Sequence, residues 1–191
     1  FRQFPSPFDV LMLAPLFLVL LGFLVYLFLR GERSPDWLAV ALVVGFAFAL
    51  RLALSLVLST DLASDTLDTH LFALDILAGD PTRNTARYTY IPAATYLNMM
   101  GVTLAGIYAL FGAALRTAKF FMVVVAALTC GMVYQVGKDV SGDHRVGLVS
   151  ALLFAVWPSS VCYSGIPTAE HIGILLIVLF SLVWLRIGRG G

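Results

Sequence analysis

Charge is what this chain has least of. Among its 191 residues, Lys and Arg together number 12 and Asp and Glu 11, so 12% are charged, roughly half the share usual in a soluble domain. The net charge of +1 and the lack of any Lys/Arg-rich run exclude a nucleic-acid partner, since nothing here would track a phosphate backbone. Cysteine is scarce too. Cys130 and Cys162 are the only two and fall in no metal-binding or redox spacing, which excludes a disulfide framework. Cys130 sits inside an apolar run, where a thiol packs as a small hydrophobe. The strict alternation of a membrane β-barrel is also missing.

What is present is apolar length. The chain is 60% hydrophobic with a mean hydropathy of +0.94. Phe8 to Leu29, Trp37 to Ser59 and Thr117 to Val136 each approach the roughly 20 residues that cross a hydrocarbon core. In lipid such runs must satisfy their own backbone, and a helix does so. The expected fold is all-α, a polytopic bundle of about five spans forming one transmembrane domain over residues 1–191. The first run is too long for a signal peptide and reads as a retained span.

Breakers divide the rest. Arg30 to Asp36 is a polar turn between the first two spans, with Gly31 and Pro35 as breakers and Ser34 as a cap. Gly137-Lys138-Asp139 is expected to close the span that begins at Thr117. A shorter span, Val146 to Trp157, is ended by Pro158. The chain then turns over Ser159 to Pro167, and Thr168 can cap a last helix running to about Ile187. Ile91 to Gly112 is apolar but interrupted by Asn98, Gly101 and Gly106. If the loops bearing Arg30/Arg33, Lys138/Arg145 and Arg186/Arg189 face the cytoplasm, this stretch cannot cross completely and belongs at the interface or in a re-entrant position. Residues 61–112 then form an outer loop of juxtamembrane helices, on the same side as Ser159 to Glu170.

The polar segment Asp61 to Tyr90 is where function is expected, because a bilayer tolerates few carboxylates. Ser64 can cap a helix from Asp65 to about Ala78, with Gly79 and Asp80-Pro81 as its stop. On such a helix Leu67, Leu71, Leu74 and Ala78 form an apolar stripe about 60° wide, suited to membrane or to neighbouring helices. Asp65, Asp68 and Asp75 share an adjacent face, about 80° wide, while His70 lies roughly 140° from Asp65. A His/Asp metal site on this helix alone is therefore excluded. The carboxylates read either as a solvated face helped by the helix dipole or as a general base held where membrane meets water.

Glu170 and His171 carry the same pair of readings, since a first-turn glutamate is favourable on electrostatic grounds alone. Arg83, Arg87, Tyr88 and Tyr90, with Arg116 and Lys119 further on, place cations beside aromatics. They suit a lipid phosphate or act as snorkelling anchors. Arg51, two turns inside the second span, is expected to snorkel outward or to pair with a neighbouring helix.

Taken together, Arg51, Ser64-Asp65, the Ala73/Ile76/Gly79 pattern, Tyr88-Thr89-Tyr90-Ile91-Pro92 and Leu110-Phe111-Gly112 resemble the first outer loop of membrane glycosyltransferases of the GT-C fold. Val156-Trp157-Pro158, followed by Tyr163-Ser164-Gly165-Ile166-Pro167-Thr168-Ala169-Glu170-His171, resembles the opening of a later helix in bacterial members related to the protein mannosyltransferases. The likeness covers roughly Leu50 to Ile187. Tyr90-Ile91-Pro92 stands where the family has Tyr-Pro-Pro, and complete enzymes of the family carry further spans, so the chain is expected to be the N-terminal part of a larger enzyme.

The resemblance implies transfer of a sugar from a polyprenyl-phosphate carrier to a glycan, lipid or protein acceptor, at the outer face of a bacterial cytoplasmic membrane. By motif position Asp65 is the catalytic base. Asp68, Arg87, Tyr88, Tyr90, Glu170 and His171 would bind substrate, and some relatives hold a divalent cation between the two loops, which points to Asp65 and Glu170. The alternative is a non-catalytic membrane subunit or a lipid-binding scaffold. A transporter is disfavoured because only Arg51 stands inside a span.

Overall fold

A computed structural model describes residues 36–57, 65–80 and 95–189. Every regular element among them is a helix: α1 (Asp36–Val57), α2 (Asp65–Leu77), α3 (Thr95–Phe111), α4 (Leu115–Ser141), α5 (His144–Val156), α6 (Pro158–Tyr163) and α7 (Ala169–Arg189). The expected all-α membrane bundle is what is found. Three helices are long and apolar enough to cross a membrane, at Trp37–Val57, Leu115–Ser141 and Ala169–Gly188, and the apolar Met99–Phe111 and His144–Val156 are shorter. The expected first span, Phe8 to Leu29, lies outside the described residues.

α4 is the hub, with α1, α5, α7 and α3 all packed on it. It alone of the three candidate spans is mostly enclosed by the rest of the chain. Between helices in lipid there is little hydrophobic force, so close approach of small residues does the work. The α4–α5 hairpin shows this. A Cβ on Gly147 would stand 2.7 Å from the Tyr134 carbonyl oxygen, and one on Gly137 would stand 3.1 Å from the Gly147 Cα. Gly137 thus serves packing and does not end the helix, contrary to the sequence expectation. The helix continues to Ser141 and stops at Gly142, whose φ of 71° lets its N–H reach the Lys138 carbonyl, a left-handed cap that suits glycine. Asp143 then opens α5 by accepting from the Arg145 amide at 2.8 Å.

Cys130 behaves as the sequence suggests. It is fully buried in the α1/α4/α5 core with Val44, Ala47, Ala127, Ala151 and Ala155, and its Sγ lies 3.3 Å from the Ala151 carbonyl. Both cysteines are free.

The second core gathers the elements that matter for function. Ala73 of α2, Met100, Leu104, Ala105 and Tyr108 of α3, and Ala118 and Met122 of α4 are buried together, with Ala169 and Ile172 of α7 packed against them. Residues far apart in sequence therefore meet at one end of the bundle. Lys138 and Arg145, both exposed, sit at the other end, some 30 Å along α4 from Ala118 at 1.5 Å per residue.

α2 stops where expected. Gly79, with φ 76°, donates to the Ile76 carbonyl, and Asp80 donates to that of Asp75, the paired bonds of a Schellman ending. Its contact face is another matter. Thr69 and Ala73 are buried, and the Phe72 ring fills the space a Cβ would need at Gly101 of α3. Of the expected stripe, Leu74 packs against this core together with Ile76, while Leu67 and Leu71 stay half-buried and Ala78 exposed. The closest approach is made at small residues, Ala73 and Gly101, with Phe72, Leu74 and Ile76 packed around them.

Candidate functional site

Arg51 marks the buried floor of this end. Its side chain has no exposed surface, so it does not snorkel outward; it pairs with a neighbouring helix, the other expectation. Its Nη1 donates to the carbonyls of Ala47, at 3.2 Å, and Ala155, at 2.9 Å. Its Nη2 donates to the Phe154 carbonyl at 3.0 Å and to Ser160 Oγ at 3.3 Å. The reason lies in the chain. The Phe154 carbonyl would normally accept from the amide four residues on, and that residue is Pro158, which has none. That carbonyl keeps only a long bond from the Trp157 amide, at 3.3 Å, and an undersatisfied acceptor is costly in a bilayer. A guanidinium, with its fork of donors, supplies the missing bonds and places positive charge at the negative end of the α5 dipole.

Arg51 also ties α5 to α6, the one-and-a-half-turn helix that occupies part of the Ser159 to Pro167 stretch expected to be a turn. Ser160 is buried, and its carbonyl accepts from His171 Nε2 at 3.2 Å. Arg51, Ser160 and His171 therefore form a continuous polar thread through the floor. His171 is only 3% exposed, and its Nδ1 has no partner among the described residues. Beside it the first turn of α7 exposes Glu170. Thr168 does not cap α7 with its side chain, because its buried Oγ1 finds no hydrogen-bond partner among the described residues.

Leu153, Phe154, Trp157, Ser159, Ser160, Tyr163, Glu170, His171 and Ile174 enclose a groove of about 610 Å3. That is the size of a small-ligand cleft. Most of its wall is apolar, with Glu170, His171 and the two serines as polar points.

The sequence-predicted residues separate into groups. Glu170 and His171 share the groove. Asp65 and Asp68 lie on the first turn of α2, Asp65 exposed and Asp68 half-buried. They belong to the same end of the bundle but not to the groove lining. Asp75, expected on the same carboxylate face, is buried, so that face is not uniformly solvated. Arg87, Tyr88 and Tyr90, together with Arg83, lie outside the described residues.

His70 points away from the carboxylates, as its helical position implies. Its Nδ1 is 2.7 Å from the Tyr108 hydroxyl, and the two rings meet edge to face at 5.5 Å. Burial lowers the His70 pKa from its ordinary 6.5, so the imidazole is held neutral. No three His, Cys, Asp or Glu side chains come together as a cation site among the described residues.

The Arg51 and Ser160 contacts were not foreseen. Only the coincidence of a span-interior arginine with a proline that frees a carbonyl would have signalled them. Comparisons with protein-family models, with curated proteins and with solved structures give no match.

Proposed function

We propose that this chain is, or begins, a membrane glycosyltransferase that moves a sugar from a polyprenyl-phosphate carrier to a hydroxyl acceptor with inversion. The observation that supports this reading most is the meeting of α2 and the start of α7 in one core. It brings the helix that carries Asp65 and Asp68 and the head of the helix that carries Glu170 and His171 to one end of the bundle, beside a groove of ligand size. A two-substrate transfer needs such a place, since positioning is a large part of the rate.

In this reaction Asp65 takes the proton of the acceptor hydroxyl as its oxygen attacks the anomeric carbon. The bond from that carbon to the phosphate oxygen breaks, and the lipid phosphate leaves with the electron pair. A base within hydrogen-bond reach contributes about 10²- to 10⁴-fold. Asp68 orients the acceptor. Arg87, with Tyr88 and Tyr90, holds the departing phosphate, where a cation offsets developing charge. The described carboxylates do not assemble a three-ligand cation site, so no step is assigned to a metal. The basic residues at the opposite end, Lys138 and Arg145, support an outward-facing site under the positive-inside rule, and a bacterial cytoplasmic membrane is what the family resemblance implies.

The test is Asp65→Asn, nearly isosteric but unable to act as a base. With membranes and a polyprenyl-phosphate sugar, transfer should fall by at least about 10²-fold while helicity and thermal midpoint are kept. Transfer at the wild-type rate in a folded variant would reject Asp65 as base.

One observation favours the second reading, a non-catalytic membrane subunit or lipid-binding scaffold. α7 is barely covered by the rest of the chain, and Phe180 and Trp184 stack on its exposed side. Such a face suits lipid tails or the helices of another chain. No sugar transfer under any donor, with the protein folded, is the result this reading expects.

A further inference from the structure

The polar points of the groove are unlike those of a phosphate site. His171 donates from Nε2 to the Ser160 carbonyl, which fixes the tautomer of the neutral ring and leaves Nδ1 as a lone-pair acceptor. That acceptor is sealed in the protein without a partner among the described residues, a state that costs free energy. The other ionisable groups of the lining are Glu170, an acceptor when ionised, and Tyr163, a neutral phenol that can donate or accept. The guanidinium beneath, Arg51, is engaged through both Nη groups with carbonyls and Ser160 Oγ, and its Nε is sealed in the protein away from the groove surface. A phosphate entering here would face a carboxylate and an imidazole lone pair. A hydroxyl would meet two acceptors.

The rest of the wall sets the body of the ligand. Leu153, Phe154, Trp157 and Ile174 are apolar, and Leu153, Trp157 and Ile174 are exposed there. They suit an alkyl or isoprenoid chain.

We propose that the α5–α6–α7 groove binds a neutral, hydroxyl-bearing amphiphile. Its chain lies along Leu153, Trp157 and Ile174, and one hydroxyl donates to His171 Nδ1 after a rotamer change in the exposed wall. Small side-chain adjustments of this kind are common on binding. The inference rests on the transferase reading to the extent that this amphiphile is the acceptor. It assigns the groove to the acceptor side and leaves the carrier phosphate to the cations of the segment before α3.

The experiment uses the whole chain in nanodiscs and three photoactivatable probes with the same diazirine-bearing alkyl chain: an alkyl glucoside, an alkyl phosphate and an alkyl trimethylammonium. Adducts are mapped by mass. The glucoside should label α5–α6–α7 peptides saturably, at half-saturating concentrations at least tenfold below the other two.

Two variants separate ligand binding from structure. His171→Asn keeps an acceptor near the Nδ1 position and loses the bond to Ser160; His171→Gln keeps a donor for Ser160 and loses the acceptor. Labelling should survive in His171→Asn and fall about tenfold or more in His171→Gln. The reverse order would show that His171 only holds α6, and would overturn the proposal. So would preferential labelling by the phosphate, equal labelling by all three probes, or no saturable labelling. Labelling needs no turnover, so the two readings fail separately. Glucoside in the groove without sugar transfer rejects the transferase alone, whereas transfer with phosphate in the groove rejects this assignment alone.

Discussion

At the scale of single residues, Arg51 and His70 show how ionisable groups are accommodated in an apolar bundle. Arg51 lies among acceptors because Pro158 leaves a helix end short of a donor. Arg51→Met should remove the side-chain donor from the Ala155 carbonyl, leave the Phe154 carbonyl only its bond from Trp157, and destabilise the protein by about 3 kcal/mol, read from thermal unfolding in detergent. Arg51→Lys should be nearly as harmful, because one ammonium cannot reproduce the fork. A change below about 0.5 kcal/mol in both would show that the contacts carry no weight.

His70 works in the other direction. Its folded pKa lies below 6.5, so the unfolded chain binds more protons near that pH. The stability from burying neutral His70 is complete above about pH 6.5 and is lost as pH falls through the folded value. His70→Gln should therefore flatten the dependence of the thermal midpoint on pH between about 5 and 7, and an unchanged slope would assign that dependence elsewhere.

At the scale of elements, glycine decides most. Gly147→Ala, whose Cβ would meet the Tyr134 carbonyl, should destabilise by roughly 1–3 kcal/mol. Gly45→Ala on α1 has nothing within 4 Å and should be neutral or stabilise by up to about 1 kcal/mol. If both lower the thermal midpoint equally, close α4–α5 packing is not what Gly147 provides. The same residue type explains what could be read in the sequence and what could not. Gly79 before Asp80-Pro81 announced the end of α2, and Pro158 the end of α5, because φ above zero and a missing N–H act locally. Gly137 was misread as a stop because a glycine that admits a neighbouring helix looks the same in sequence as one that breaks its own. The buried face of α2 was hidden for a similar reason. In lipid the largest apolar residues need not mark the protein contact, so although Leu74 of the stripe does reach it, Thr69, Ala73 and the Phe72–Gly101 fit were not marked by the apolar stripe.

At the scale of the molecule, the spans were legible from apolar length, and so was the all-helical bundle. The positions of Glu170 and His171 were legible from their place at the head of the last helix. The link of His171 to Arg51 was not, since it runs through Ser160, whose Oγ accepts from Arg51, more than 100 residues away along the chain, and whose carbonyl accepts from His171. What the account requires above all is that the carboxylates of α2 and of α7 open to the same aqueous compartment. Single cysteines at Asp65, Glu170 and Lys138, all exposed, report this in a Cys162→Ser background, where the remaining Cys130 is buried. In sealed vesicles of one orientation, a membrane-impermeant thiol reagent should modify Asp65→Cys and Glu170→Cys from one side and Lys138→Cys only from the other. Modification of Asp65→Cys and Glu170→Cys from opposite sides would contradict it.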